Sequence, residues 1–289
     1  MSEMAPSNAD FVECWNTILT PKWVRFRHLL SGNGSVHSSR AYGDFGIRAG
    51  HRVLDIGCGF GETCLEIGEM VTQSGEVLGL DCTSEFLSIA NSERDAAGMH
   101  HVRYELGDAQ EYPLEREYFD AAFSRFGVMF FQSAVRAMKN AHSALKPGGK
   151  ICLIVWRSLQ DNPCWATAKE VALHYLPPVG EGAKTCGPGP FSMADEETDR
   201  AMLKAAGFSQ VDFFKRIDAE ICMGRTLDEA VDFQILVGPS GEIIREAGDE
   251  GKRRMSDIRQ DLKALYAKHL RPDGVYLPSS TWAIMATKN

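Results

Sequence analysis

The chain predicts a doubly wound α/β fold on a seven-stranded, mostly parallel sheet, with an N-terminal helical lid and helical insertions. Three observations carry that expectation. An apolar run with one acid, Val53-Leu54-Asp55-Ile56, breaks into glycines at 57, 59 and 61 and leads at once into an amphipathic helix. Short apolar segments then alternate with segments of helical period. At least one of them, Ile151-Cys152-Leu153-Ile154-Val155-Trp156, is apolar throughout, as a strand buried on both faces of a parallel sheet is.

The first strand and its turn are the most telling. Glycines at 57, 59 and 61 let the backbone approach a ligand where a Cβ would collide. A dinucleotide turn, Gly-x-Gly-x-x-Gly, would need a glycine at 62, where Glu62 stands, so no pyrophosphate is implied. Beyond the turn, Cys64, Ile67, Met70 and Val71 share one helical face, opposite Glu62, Glu66 and Glu69. Val77 to Asp81 reads as a second strand closing on an acid. Asp81 stands 20 residues past Gly61, where a carboxylate can accept from both hydroxyls of a ribose. Val102 to Ala109 is a third strand and its exit, and Phe119 to Gly127 a fourth. Ala134, Met138, Ala141 and Leu145 space a helix that Lys146-Pro147-Gly148-Gly149 stops. The fifth strand follows. A sixth near Val211–Phe214 and a last over Val275–Thr287 complete the seven.

Taken in order, these segments resemble the motifs of class I S-adenosylmethionine (SAM) methyltransferases, a Rossmann-like family, and within it the ubiquinone/menaquinone-biosynthesis type. The likeness is close over residues 50–157 and looser beyond. It implies SAM as cofactor, held by Asp55, Gly57, Cys58, Gly59 and Gly61 at the first turn and by Asp81 and Cys82 after the second strand. By the same resemblance Asp108 and Ala109 read the adenine, and backbone carbonyls near Ser124 and Arg125 hold the methionine ammonium. Cys82 stands where an aliphatic residue commonly packs on adenine, and as a small hydrophobe it fits.

Three stretches outside this core should build the acceptor side. Phe11, Trp15, Ile18, Leu19, Trp23, Phe26 and Leu30 form an amphipathic pattern bent or broken at Thr20-Pro21, with Trp15 and Trp23 as a lid over the sulfonium. A second stretch, from Trp156 to Phe191, holds a short helix around Trp165–Tyr175. It ends in a loop over 177–190 where eight of fourteen residues are Pro or Gly. A third, from about 216 to 274, reads as a helical insertion with one helix on Leu227, Val231 and Ile235 and another on Ile258, Leu262, Leu265 and Leu270. All of it should close on one domain: an N-terminal lid over 1–48, a SAM-binding core over 49–157, and the remaining strands with a helical cap over 158–289.

Composition narrows the partners. Net charge is −8, and the one basic run, Lys252-Arg253-Arg254, is diluted by Asp249, Glu250 and Asp257, so nucleic acid is not an expected substrate. No signal peptide is expected, and no apolar run approaches the roughly 20 residues that span a bilayer. The eight cysteines (14, 58, 64, 82, 152, 164, 186 and 222) show no metal or disulfide spacing and read as reduced, mostly buried thiols in a cytoplasmic protein. No metal site is expected. Oligomeric state is left open, since no apolar face is visibly surplus to the core.

Transfer of a sulfonium methyl is an in-line displacement that needs alignment and a dry site before it needs a side-chain catalyst. Should a base be required, His174 and His37 are candidates. Phe126, Met129, Phe130, Trp156 and Arg157 come from the exits of the fourth and fifth strands, the edge where open α/β sheets bind ligands, and favour a planar or hydrophobic small-molecule acceptor. The expected function is therefore SAM-dependent methyl transfer to oxygen, nitrogen, carbon or sulfur. Two alternatives stand beside it: a SAM-binding protein without transferase activity or with other SAM chemistry, and an NAD-dependent oxidoreductase.

Overall fold

In the computed structural model, residues 8–180 and 187–289 are described. The chain enters through α1 (Asn8–Cys14), passes a π-helical turn over Trp15–Leu19, and continues in α2 (Thr20–Arg25) and α3 (Arg27–Phe45). The π turn has a local cause. Pro21 has no N–H to continue the ladder, and the Thr20 N–H and hydroxyl both reach back to the Trp15 carbonyl, five residues earlier. The expected bend at Thr20-Pro21 is thus a register slip one turn ahead of the proline. Gly46, at φ 74°, ends α3.

Next come β1 (Arg52–Ile56), α4 (Glu62–Val71), β2 (Glu76–Asp81), α5 (Ser84–Ala97), β3 (Val102–Leu106), β4 (Phe119–Arg125), α6 (Ala134–Ala144) and β5 (Leu145–Trp156). Then follow α7 (Pro163–Tyr175), α8 (Glu196–Ala206), β6 (Gln210–Gly224), α9 (Leu227–Leu236), α10 (Pro239–Glu246), α11 (Gly248–Ala267), β7 (Leu270–Arg271) and β8 (Gly274–Thr287). The sheet runs β3-β2-β1-β4-β5-β8-β6, with β7 paired to β8 off that path. The first five strands are parallel, and β8 is antiparallel to both of its neighbours. Alternation along the strands divides the core: Leu54, Ile56, Leu78, Leu80 and Leu153 pack on one face, Val53, Val77, Phe123, Cys152 and Ile154 on the other.

The doubly wound sheet is as expected, and the main path has seven strands. Four details differ. β7 adds a two-residue eighth strand, and Leu270, expected as a core residue of a helix, lies in it 48% exposed. β6 runs on to Gly224, so the helical insertion begins at α9 and not near 216. α10 was not foreseen. Lys146–Gly149, expected as a helix stop, is an irregular first part of β5, where the pairing steps from Phe119↔Leu145 to Ala121↔Lys150. Six residues of the Pro/Gly-rich loop, 181–186, lie outside the described residues.

Candidate functional site

A cavity of about 590 Å³ opens outside the carboxyl ends of β1, β2 and β4, between α1–α2 on one side and α9–α10 on the other. This is the point where strand order reverses, β1 having β2 on one side and β4 on the other.

The three glycines of the first turn have different reasons to be glycine. All hold positive φ, at 67°, 56° and 82° for Gly57, Gly59 and Gly61. A Cβ on Gly57 would stand 2.9 Å from the Gly127 backbone, and one on Gly61 would stand 2.3 Å from the Tyr104 hydroxyl. A Cβ on Gly59 would meet nothing within 4 Å. Gly59 therefore faces the cavity, while Gly57 and Gly61 are set by close packing of the protein on itself. Cys58 lines the cavity beside them.

Asp55 lies under this turn and is not among the described residues that line the cavity. Its Oδ2 accepts from the Thr63 hydroxyl and, at 3.1 Å, from the Cys64 thiol, which ties β1 to the first turn of α4. Its Oδ1 is buried with no partner among the described residues. Burial pushes the carboxyl up to about 6, against the pull of the two hydrogen bonds.

At the end of β2, Asp81 is half-buried at the cavity wall. One carboxylate oxygen accepts from the Gly59 N–H and the other from the Thr83 N–H, both at 2.9 Å. It thus shapes the glycine turn and the start of α5 while keeping lone pairs for a ligand. Desolvation raises its pKa against those two bonds. Cys82 lines the cavity too, and its carbonyl accepts from the Asn16 side chain of the π turn at 3.0 Å. Asp108 and Ala109 line it past β3. Asp108 accepts from the Gln110 N–H at 3.0 Å and from the Asn8 amide of α1.

The exit of β4 is tightly built. Ser124 is buried, with its hydroxyl on the Ile56 carbonyl at 2.6 Å, and only its neighbour Arg125 lines the cavity. The Arg125 guanidinium donates to Ser35 and Ser38 of α3 and lies 3.9 Å and 3.7 Å from Glu62 and Glu66. Phe126 follows at φ 61°, a left-handed conformation that a bulky residue rarely holds. Its ring stacks on Trp156 at 4.4 Å.

Among the acceptor-side candidates, Trp15, Trp23, Phe126, Met129, Phe130 and Trp156 all line the cavity. Trp15 stands edge-on to Trp23 at 5.3 Å and to Phe130 at 4.9 Å. Arg157 does not. Alternation along β5 sends it the other way, where it lies over the Trp282 ring and bonds Ser280 and Asp161. His174 is exposed near the end of α7, away from the cavity wall. His37 is fully buried behind the wall, between the hydroxyls of Ser279 and Thr281 at 3.1 Å and 3.0 Å. Desolvation first, then Arg40 and Arg125, lower its pKa to about 4, so it is neutral near pH 7 and a weak base. No histidine lines the cavity among the described residues.

The sequence reading missed Phe60, Phe86, Lys22, Trp165, Lys169, Phe233 and Arg245, all of them in the wall. The first two carried a signal, as aromatics flanking the glycine turn and the second strand's exit. The others sit in ordinary helices. The thiols at 58, 64, 82, 152, 164 and 222 are free, as expected. Cys14 corrects that reading, being disulfide-bonded, and Cys186 lies outside the described residues.

Comparison with known proteins agrees with this geometry. A family described as a methyltransferase domain matches residues 53–149. The ubiquinone/menaquinone biosynthesis C-methyltransferase UbiE of Serratia proteamaculans is 26% identical over 188 residues, covering 62% of this chain and 75% of that protein. Among solved structures, the YcgJ protein of Bacillus subtilis shares the fold at a TM-score of 0.55 and 19% identity, covering 87% of this chain and 97% of its own. So does the Haemonchus contortus phosphoethanolamine N-methyltransferase 2, at a TM-score of 0.58 and 19% identity, covering 98% of this chain and 61% of its own. Neither alternative, a SAM binder without transfer or a nicotinamide oxidoreductase, is favoured by these likenesses. The glycine turn, the switch-point cavity and the matched domain make the chain a SAM-dependent methyltransferase, and over 188 residues it is similar to the ubiquinone/menaquinone-biosynthesis C-methyltransferases.

Proposed function

We propose that this methyltransferase acts on a planar, apolar small molecule, and that one end of the cavity holds the cofactor while the other holds the acceptor. The carrying observation is the division of the cavity wall. Gly59, Asp81 and Asp108 stand at the strand ends, while the aromatic lining comes from the N-terminal helices (Trp15, Trp23), the β4 exit (Phe130) and the helical cap (Trp165, Phe233). The first group suits an adenosyl ligand: an open cradle at Gly59, a carboxylate with spare lone pairs at Asp81, and a second acid at Asp108 for an exocyclic amine.

SAM supplies an electrophilic sulfonium methyl when bound. The residues of the chain bind, orient and exclude water. Asp81 accepts from ribose hydroxyls, and carbonyls near Ser124 and Arg125 take the ammonium. Cys58 and Cys82 present small apolar surface. Trp15 and Trp23 of the N-terminal helices cover the site. With no histidine in the described wall, alignment carries the rate, a mode worth roughly 7–11 kcal/mol in well-oriented reactions. The relatives' C-methyltransferase name favours testing quinone-type aromatic rings first. Among the described residues no helix is long and apolar enough to cross a membrane. The free thiols at 58, 64, 82, 152, 164 and 222 favour a cytoplasmic enzyme, read as one domain with a helical cap.

The test is transfer of labelled methyl from SAM to a panel of aromatic acceptors and to fractionated small-molecule extract. Label in an aromatic product supports the reading. Turnover confined to aliphatic amines would overturn it.

A further inference from the structure

The acceptor end of the cavity is apolar and aromatic, yet three cations reach its wall: Lys22 from α2, Lys169 from α7 and Arg245 from α10. α7 packs on α10, which brings the last two to one side. Arg245 has partners, with Glu242 at 3.6 Å and Glu246 at 3.1 Å. Lys22 and Lys169 have no ion pair among the described residues, although both are half-buried. Lys22 also feels Arg245 as a like charge, which adds to burial in lowering its pKa. A chain of net charge −8 has thus gathered positive charge at one cavity wall, with Glu242 the acid nearby in the lining. Half-buried charges without partners are costly, and an anion from a ligand would offset that cost.

We infer that the acceptor carries an anionic group, a carboxylate or a phosphate, which Lys22, Lys169 and Arg245 receive while the aromatic wall takes its ring. The inference rests on the proposed division of the cavity and deepens it. It also sets a rejection rule. An amine acceptor that stays protonated would meet the same cations and be repelled.

The test is calorimetric titration of the full-length protein, first with S-adenosylhomocysteine and then, at saturating levels of it, with 2-naphthoate, 2-naphthyl phosphate and the uncharged isostere 2-naphthamide. Tighter binding of one or both anions than of the amide, by about tenfold, is expected, the ratio that one good charge-assisted contact gives. Whichever anion gains more identifies the group. Lys22→Met with Lys169→Met should bring the anions to within about threefold of the amide, with S-adenosylhomocysteine binding retained as evidence of folding. Lys22→Arg should keep the preference. Equal binding of anion and amide, no binding of either anion, or a preference that survives the double substitution would each overturn the inference. Failure to bind S-adenosylhomocysteine at all would instead sink the division of the cavity on which it rests.

Discussion

Phe126 and Trp156 stack at 4.4 Å with their planes 14° apart, and Phe126 does so from a backbone at φ 61°. Two strand exits, β4 and β5, are thereby joined through a residue whose conformation costs energy. Such strain persists only where the surroundings over-determine it. The Phe126 N–H bonds the Ile154 carbonyl at 2.9 Å, which holds the turn from the other side. A double-mutant cycle on Phe126→Ala and Trp156→Ala should give a coupling of about 1 kcal/mol in urea unfolding. Additive losses would mean the stack is incidental.

The glycine turn allows a sharp comparison. Gly59→Ala puts its Cβ into open cavity and costs only the left-handed backbone, about 1 kcal/mol. It should lower stability slightly and weaken S-adenosylhomocysteine binding at least tenfold, by about the 1.4 kcal/mol that ratio requires. Gly61→Ala meets the Tyr104 hydroxyl and should unfold well below the Gly59 variant in a thermal scan. Reversal of that order would mean that the two glycines have been assigned the wrong roles.

Asp81→Ala removes an acceptor from the cavity and also releases the Gly59 and Thr83 N–H groups. A loss of order 1–3 kcal/mol in cofactor binding is expected. Asp81→Asn, which keeps the size, should recover little, because its amide can satisfy only one of the two N–H groups. Unchanged affinity in the alanine variant would move the cofactor elsewhere.

Asp199 offers a pH test remote from the site. It is buried in the first turn of α8, its Oδ2 has no partner among the described residues, and burial followed by Asp195 pushes its carboxyl up to about 7. An acid raised in the folded state binds more protons there than in the unfolded chain. Stability is therefore lost as pH rises from about 4 to about 7 and does not return above that. Asp199→Asn should then gain on the parent protein across this window, by on the order of 2 kcal/mol at pH 7.5 relative to pH 4.5. Parallel curves for the two proteins would show that Asp199 does not titrate in this range.

Legibility followed locality. The first turn, the second strand's acid and the fourth strand's exit are contiguous motifs, and each could be placed before any tertiary structure was known. The acceptor wall is the opposite case. Lys22, Lys169 and Arg245 lie far apart in sequence, and only the packing of α7, α10 and the N-terminal helices brings them to one cavity. β6 was read too short because Lys215, Arg216, Asp218 and Glu220 interrupt its apolar pattern, as they can on an edge strand with one wet side. Arg157 was misdirected for a simpler reason. Trp156 lines the cavity, so strand alternation alone turns the next residue away from it. Cys14 could not have been separated from the other thiols, since pairing depends on where the N-terminal helix docks.

The position of β8 bears on how this chain comes off the ribosome. In sequence it follows β6, yet in space it lies between β5 and β6, pairing with β6 over most of its length and with β5 over its second half. Until residues 274–287 emerge, β5 and β6 each present a bare edge, and β6 has no partner in the sheet. The cavity floor can form from the first five strands during synthesis, whereas the cap built from α9 to α11 has to wait, tethered through β6 to a sheet it has not joined. Nascent chains would spend that interval with two open ladders, the state most in need of a chaperone.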